Sequence, residues 1–326
     1  MLRFALKYEP LDMAVLVPVL RALGGEAVRA WVLDEPTSAF ARRAWFLQER
    51  FVGAPLDLPT TIRTVPAVSA LDDDLQVALG DRASEVSARH RVRDNLLGGP
   101  DFCPLVRRTD ALERVNGPAL QAEVGSVARA IDADTLELAV RWLQTEETRT
   151  TFEIEGDEAR GNRAQRFFSA LQRRGEFSLD ADEAAFATLQ RSFVDSRYAD
   201  EGWRRTQVFV GGGSLLDEAQ VSYVCPKPAD LPPLMEGWRA MTARAVRPRG
   251  LDPVIAAALV AFGFVFIHPF DDGNGRIHRF LLHRVFDELG LTDGLLLPVS
   301  AVILKRLPAY HRALQAVSRP LMPFVS

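Results

Sequence analysis

The chain has 326 residues, 48% of them apolar and 25% charged, with a formal net charge of −4. This is a globular composition with enough apolar material for the core of one or two domains. It has no run of about 18 apolar residues that could cross a membrane, and its basic residues are too scattered to make nucleic-acid binding a main activity.

Cys103 and Cys225 form neither a disulfide framework nor a metal-ligand spacing. The opening MLRFALKYEP lacks the apolar stretch of a signal peptide, so the expectation is a cytoplasmic protein. Lysine occurs at Lys7, Lys227 and Lys305, followed by Tyr8, Pro228 and Arg306. None has the Ser or Thr that follows the lysine of a phosphate-binding P-loop.

In chain order, residues 1 to about 115 read as a first, mostly helical region. DMAVLVPVLRALGG predicts a helix capped by Asp12 and stopped at Gly24. TSAFARRAWFLQERFVG predicts a second, with Phe40, Ala44, Leu47 and Phe51 on one face and Gly53 beyond it. The segments PLDLPTTIRTVPAVSALDDDL and NLLGGPDFCPLVRRT are broken by Pro and Gly and read as loops. This region holds no catalytic constellation, and its aromatic residues are expected to be core.

From 116 to 326 the pattern is helical. ALQAEVGSVARAIDADTLELAVRWL predicts one or two helices. DADEAAFATLQRSFVDSRY predicts another, with Phe186, Leu189 and Phe193 on one stripe. The clear β signal is a hairpin, Thr206 to Val210 and Gln220 to Val224, joined by a glycine-containing connection. In LDPVIAAALVAFGFVFIH, Asp252 and Pro253 start a helix that is apolar nearly all round and is therefore expected at the centre of the domain. GRIHRFLLHRVFDELG predicts a further helix with Ile277, Phe280, Leu281, Leu282 and Val285 on its apolar face and Gly290 as its stop. The fold class is mainly α.

Between these last two helices lies HPFDDGNG, a loop that ends at a helix N-terminus. Free N–H groups and the dipole there favour an anion. Gly273 and Gly275 let the backbone approach a ligand, and Asn274 offers a side-chain donor. Arg276 and Arg279 stand one turn apart, each able to fork onto phosphate oxygens. Asp272 is a hard oxygen ligand suited to Mg²⁺ beside phosphates. His268 is a candidate general base. Singly, each feature has a plain structural reading as a cap, a turn or a solvated arginine. Jointly they describe nucleotidyl or phosphoryl transfer. His278 and His283 fall off the spacing of a helical zinc pair and read as packing or surface residues.

The stretch HPFDDGNGRIHR resembles the signature of the Fic family, H-x-F-x-[DE]-G-N-G-R-x-x-R, at every fixed position. The resemblance extends over roughly residues 120 to 310 and implies a helical core carrying a small β-hairpin flap. It implies a protein adenylyltransferase that moves AMP from ATP to a hydroxyl side chain of a target protein and releases pyrophosphate. His268 would deprotonate the hydroxyl, Phe270 anchor the loop, and Asp272 hold Mg²⁺. Gly273, Asn274, Gly275, Arg276 and Arg279 would hold the phosphates, and Val208, Phe209 and Val210 of the flap would dock the target chain.

TFEIEG matches the family's inhibitory pattern [ST]-x-x-x-E-[GN] at Thr151, Glu155 and Gly156, on a helix of about residues 145–156. Its place before the core resembles the subclass with an N-terminal inhibitory helix, in which Glu155 would pair with Arg279. The expected partners are ATP and a protein target, without nucleic acid or membrane, and with room for a homodimer. Removal of AMP, a protein kinase on the same fold, and a catalytically silent regulatory module are the alternatives. Kinase relatives carry lysine where Gly275 stands. The apolar end RPLMPFVS suggests a chain that continues past Ser326.

Overall fold

In the computed structural model, which describes residues 2–59, 65–157, 161–212 and 220–319, the chain divides into two compact units. The first comprises residues 1–116 and 237–252, the second residues 117–236 and 253–326.

The first unit begins with helices α1 (Leu2–Tyr8), α2 (Met13–Asp34) and α3 (Ala39–Phe51). Asp12 caps α2 by accepting from the Ala14 N–H. Gly24 does not stop the helix as expected. It takes a non-helical conformation (φ 74°, ψ 160°) that kinks α2, and helical geometry resumes at once. Helix α3 is buried on more than its one predicted face, because Arg42 and Arg43 are buried as well as its apolar residues. Their guanidinium groups donate to backbone carbonyls of Leu6, Pro66, Ala70 and Arg91, which supply the acceptors that a buried cation needs.

Three short strands follow, β1 (Val68–Ser69), β2 (Glu85–Ser87) and β3 (Val92–Asp94), in the order β1-β3-β2. β3 pairs parallel with β1 and antiparallel with β2. β1 lies in a segment that the sequence reads as a loop, and β2 and β3 lie in a stretch to which it assigns no element. Strands of two or three residues are too short to display an alternating pattern. A one-turn helix, α4 (Asp110–Glu113), closes the run. Trp45, Leu47, Leu20, Leu71, Val92 and Leu96 share the core. Beside it, Glu49 accepts from Arg89, Trp45 and the Leu56 N–H and meets His90 Nε2 at 2.8 Å. Burial alone would raise the Glu49 carboxyl, but these donors bring it to about 2.

The second unit is helical apart from its hairpin. Its elements are α5 (Gly117–Ala130), α6 (Ala133–Ile154), α7 (Gly161–Gln172), α8 (Glu183–Phe193), strands β4 (Phe209–Gly212) and β5 (Gln220–Val224), and helices α10 (Pro253–Ile267), α11 (Asn274–Glu288), α12 (Val299–Lys305) and α13 (Leu307–Ser318). Helix α9 (Leu231–Ala245) crosses the division between the units. Asp132 caps α6, and Asp182 caps α8.

The predicted helix of about residues 145–156 is the C-terminal part of α6. The hairpin strand β4 starts at Phe209, not at Thr206, and a bulge separates Val210 from Gly211. Thr206 is held elsewhere, its hydroxyl on Asp271 and its carbonyl on Arg204. The glycine-containing connection, at residues 213–219, and the apolar end, at 320–326, lie outside the described residues.

Helix α10 packs against α11, whose residues 276–286 are all buried. Phe186, Phe264, Phe270, Phe280, Phe193 and Phe167 pack ring against ring beneath the loop between α10 and α11. Gly290 (φ 65°) ends α11, as its position predicts.

A buried polar anchor joins α6, α11 and α12. Glu147 accepts from the Ser300 hydroxyl and N–H and meets His283 Nε2 at 2.9 Å, and all three residues are almost fully buried. Replacing Glu147 with alanine strands His283 and Ser300 in an apolar interior. Urea unfolding of Glu147→Ala is expected to show a loss of about 3 kcal/mol; a loss within experimental error of zero would contradict the anchor.

Candidate active site

The apolar helix α10 ends at Ile267, and the chain turns sharply at His268, whose φ is +52°. This left-handed conformation is uncommon for a residue with a Cβ and costs on the order of 1 kcal/mol or more. The His268 N–H still closes the last helical turn on the Phe264 carbonyl. In the ring, Nδ1 lies 3.2 Å from the Val265 carbonyl. A proton on Nδ1 donates to that oxygen and leaves Nε2 with its lone pair. Burial above all pushes the His268 pKa down to about 4; the hydrogen bond to Val265 opposes it, the smaller Arg204 charge lowers it further, and Glu155 raises it least. The ring is therefore neutral at pH 7.

Phe270 is fully buried against Trp203 and Phe264. Asn274 closes the loop. Its side-chain oxygen accepts from the Phe270 N–H at 3.0 Å, and its amide donates to the Phe270 carbonyl at 2.8 Å. The expected side-chain donor to phosphate is thus spent inside the loop, and what Asn274 can offer an anion is its backbone N–H at the start of α11. Gly273 has φ +88°, and a Cβ there would strike Val194. Asp272 turns one oxygen onto the Gly273 N–H, and Asp271 takes the Thr206 hydroxyl.

Arg276 and Arg279 are both buried and both engaged. Arg276 donates to the Phe193 carbonyl at 2.7 Å, approaches Asp157 at 3.4 Å and lies over the Phe152 ring. Arg279 donates to the Thr151 hydroxyl, to the Thr151 carbonyl at 3.0 Å, and to Glu155 Oε1 at 2.6 Å. One donor of each guanidinium, Arg276 Nε and Arg279 Nη1, is buried without a partner among the described residues. Orphaned charged donors beside a helix N-terminus suit phosphate oxygens.

Glu155 is the C-cap of α6. Gly156 follows at φ +66°, and the Asp157 N–H returns to the Phe152 carbonyl, so the helix ends just where the Glu155 carboxylate is released. That carboxylate lies over the first turn of α11, and a Cβ on Gly275 would collide with Glu155 Oε1. Its side chain is 30% exposed, whereas that of Arg279 is fully buried. Burial raises the Glu155 pKa, but Arg279 above all, then Arg276 and His268, leave it below the usual carboxylate value.

Glu147, Thr151 and Glu155 follow one another at one-turn intervals, and they meet His283, Arg279 and Gly275, which run the opposite way along α11. The flap residues stand apart from this ladder. Phe209 is 56% exposed, while Val208 and Val210 are half-buried against a cluster containing Tyr223, Cys225 and Val265.

Gln190, Arg204 and Glu147 are not singled out by sequence, and His283 is read there only as a packing or surface residue. Gln190, fully buried, donates to the carbonyls of Tyr198 and Asp272 and to Asp200. Arg204 donates to the His268 carbonyl. Glu147 and His283 fix the far end of the ladder. Each is distant in sequence from what it holds, so no local spacing marks it. His278 is a packing residue, fully buried against Phe262 and Tyr310. Burial and the neighbouring Arg279 take its pKa down to about 3.

Residues 180–286 match a family model described as the Fic/DOC family. Two curated proteins named "Protein adenylyltransferase Fic" are similar. That of Drosophila grimshawi is 35% identical over 123 residues, 38% of this chain and 22% of the relative. That of Culex quinquefasciatus is 38% identical over 91 residues, 27% of this chain and 15% of the relative. The chain therefore matches only a small part, 15–22%, of the length of these relatives.

Among solved structures, a Fic family protein from Desulfovibrio desulfuricans aligns with TM-score 0.47 and 22% identity, over 66% of this chain and 68% of that one. A Fic domain containing signaling protein from Bacteroides thetaiotaomicron aligns with TM-score 0.44 and 17% identity, over 54% of this chain and 74% of that one. The segment that matches the Fic/DOC family model runs from α8 into α11 and carries both the hairpin and the loop, so it is there that the chain resembles that family.

Proposed function

We propose that this chain is a protein adenylyltransferase held off by its own helix α6. The observation that carries the reading is the Glu155 carboxylate, an internal anion seated over the N-terminus of α11 and paired with Arg279. A site that holds one anion by a helix dipole and a buried arginine is suited to another. The triphosphate of ATP is the anion this reading assigns to it.

With Glu155 withdrawn, Arg279 would turn its free and released N–H groups to the terminal phosphate. The first N–H groups of α11, bordered by Gly273 and Gly275, would hold the inner phosphates, and Arg276 would contribute from the buried side. The donor set near Asp272 fits Mg²⁺. Asp272 stands beside the phosphate seat with one oxygen already oriented by the Gly273 N–H, and the Asp200 and Asp271 carboxylates are close by. Mg²⁺ bound there would neutralise phosphate charge.

The hydroxyl of a target side chain would attack the α-phosphorus and pass its proton to His268 Nε2. The bond to the leaving pyrophosphate would break on the opposite side. The exposed edge at Phe209 is where an extended target segment would lie. With Glu155 in place, Arg279 is not available and the triphosphate cannot settle in that register, so the attacking oxygen and the phosphorus are misaligned. Each ~1.4 kcal/mol lost from the transition state lowers the rate tenfold.

Incubated with [α-³²P]ATP and Mg²⁺, Glu155→Gly is expected to label itself or a lysate protein at least ~10-fold faster than wild type. Equal labelling would remove the brake from the account. Label carried over from [γ-³²P]ATP instead would point to a kinase.

In that released background, His268→Ala is expected to lose ~10²–10⁴ of the rate. Because the His268 pKa is depressed to about 4, the imidazole stays deprotonated well below neutrality. Loss of Glu155 removes a charge that raises it. The released enzyme should therefore keep its rate as pH falls from 7 to about 5.5, past the ordinary histidine value of ~6.5. A rate that titrates away near 6.5 would show that the base is solvated or is another group.

A further inference from the structure

Arg204 is 3% exposed and forms no ion pair among the described residues, yet each part of its guanidinium is bonded. Nε donates to the His268 carbonyl at 2.7 Å, Nη1 to the Thr206 carbonyl at 2.7 Å, and Nη2 to the Pro226 carbonyl at 2.6 Å. Its backbone N–H donates to the Pro269 carbonyl at 2.8 Å. Thr206 leads into β4 and Pro226 leads out of β5, so the three side-chain bonds join both feet of the hairpin to the residue read here as the base.

A buried cation is costly without a carboxylate to meet it. A neutral donor could satisfy any one of these carbonyls. What an arginine adds is a rigid planar fork that fixes several acceptors relative to one another. The His268 carbonyl is the group that most needs fixing, because its residue is in the left-handed conformation. Two contacts reinforce the same link: the Thr206 hydroxyl on Asp271 and the Tyr223 hydroxyl on the Phe266 carbonyl.

We infer that Arg204 is a positioning residue that locks the His268 backbone to the two feet of the hairpin, so that a target strand docked on the hairpin arrives in register with the imidazole. This inference rests on the proposed adenylyl transfer. Arg204 touches none of the groups assigned to the phosphates, so it should govern the proton-accepting end of the reaction and leave nucleotide binding alone. Its charge also acts on His268 directly, with Glu155 as the charged group on the opposing side.

The test uses full-length Glu155→Gly as parent and adds Arg204→Lys or Arg204→Met. Self-labelling from [α-³²P]ATP is expected to fall at least ~10-fold in both, because displacement of a catalytic group by about 1 Å costs up to ~10²-fold. Calorimetric affinity for ATP with Mg²⁺ should stay within about threefold of the parent, a difference of well under 1 kcal/mol. Histidine-selective NMR adds a readout that a purely structural role would not move. Arg204→Met should raise the His268 pKa above that of the parent, whereas Arg204→Lys, which keeps the charge, should leave it near the parent value.

A folded Arg204 variant that labels at the parental rate overturns the inference, as does one that loses labelling only in proportion to lost ATP affinity. If Arg204→Met fails to fold, Arg204→Lys carries the same comparison. A parent that does not label at all overturns the proposed activity instead, and the NMR comparison then still decides whether Arg204 acts on His268.

Discussion

The hydrogen-bonded pair between Glu155 and Arg279 is the contact on which the second unit's organisation turns. Arg279 is fully buried, and a buried guanidinium needs acceptors. In this chain the acceptors come from α6: the hydroxyl and carbonyl of Thr151 and the carboxylate of Glu155. The rest of α6 is built to deliver them. Asp132 starts the helix, Glu147 pins it to His283 and Ser300, and Gly156 ends it one residue after Glu155. A one-residue shift along the helix would move each of these groups about 100° around its axis and undo all three contacts together.

The same geometry explains why the loop can be rigid before any ligand arrives. Asn274 is bonded at both ends of its amide to Phe270, Gln190 holds the Asp272 carbonyl, and Phe270 is packed under the loop. Anion-binding N–H groups that are already aimed lose little entropy when they bind. The cost appears as backbone strain at His268 and as the orphaned donors of Arg276 and Arg279. Strain and unmet donors of this kind persist where surrounding structure enforces them.

Much of this was legible in the sequence because it is local. The loop residues are consecutive, and α10 and α11 announce themselves by an apolar run and a periodic face. The pattern at Thr151, Glu155 and Gly156 is equally local, although the sequence alone says nothing of the carboxylate's seat over Gly275. What escaped is what depends on distant residues. Arg204 and Gln190 act on backbone carbonyls far along the chain, and a carbonyl leaves no mark in a sequence. His283 reads as a packing or surface residue, whereas its ring is a buried partner of Glu147 across helices. In the first unit, the β1–β3 sheet went unread because its strands are so short. The burial of Arg42 and Arg43 runs against the usual placement of charge, and only the carbonyls they meet explain it.

The central claim is that Glu155 and a nucleotide phosphate compete for one seat. A crystal structure of Glu155→Gly with Mg²⁺ and a non-hydrolysable ATP analogue tests it most directly. The account predicts phosphate oxygens over Gly275, with Arg279 turned from its former carboxylate partner onto the terminal phosphate. Nucleotide bound elsewhere, with that seat filled only by water and Arg279 still facing Thr151 alone, would contradict it.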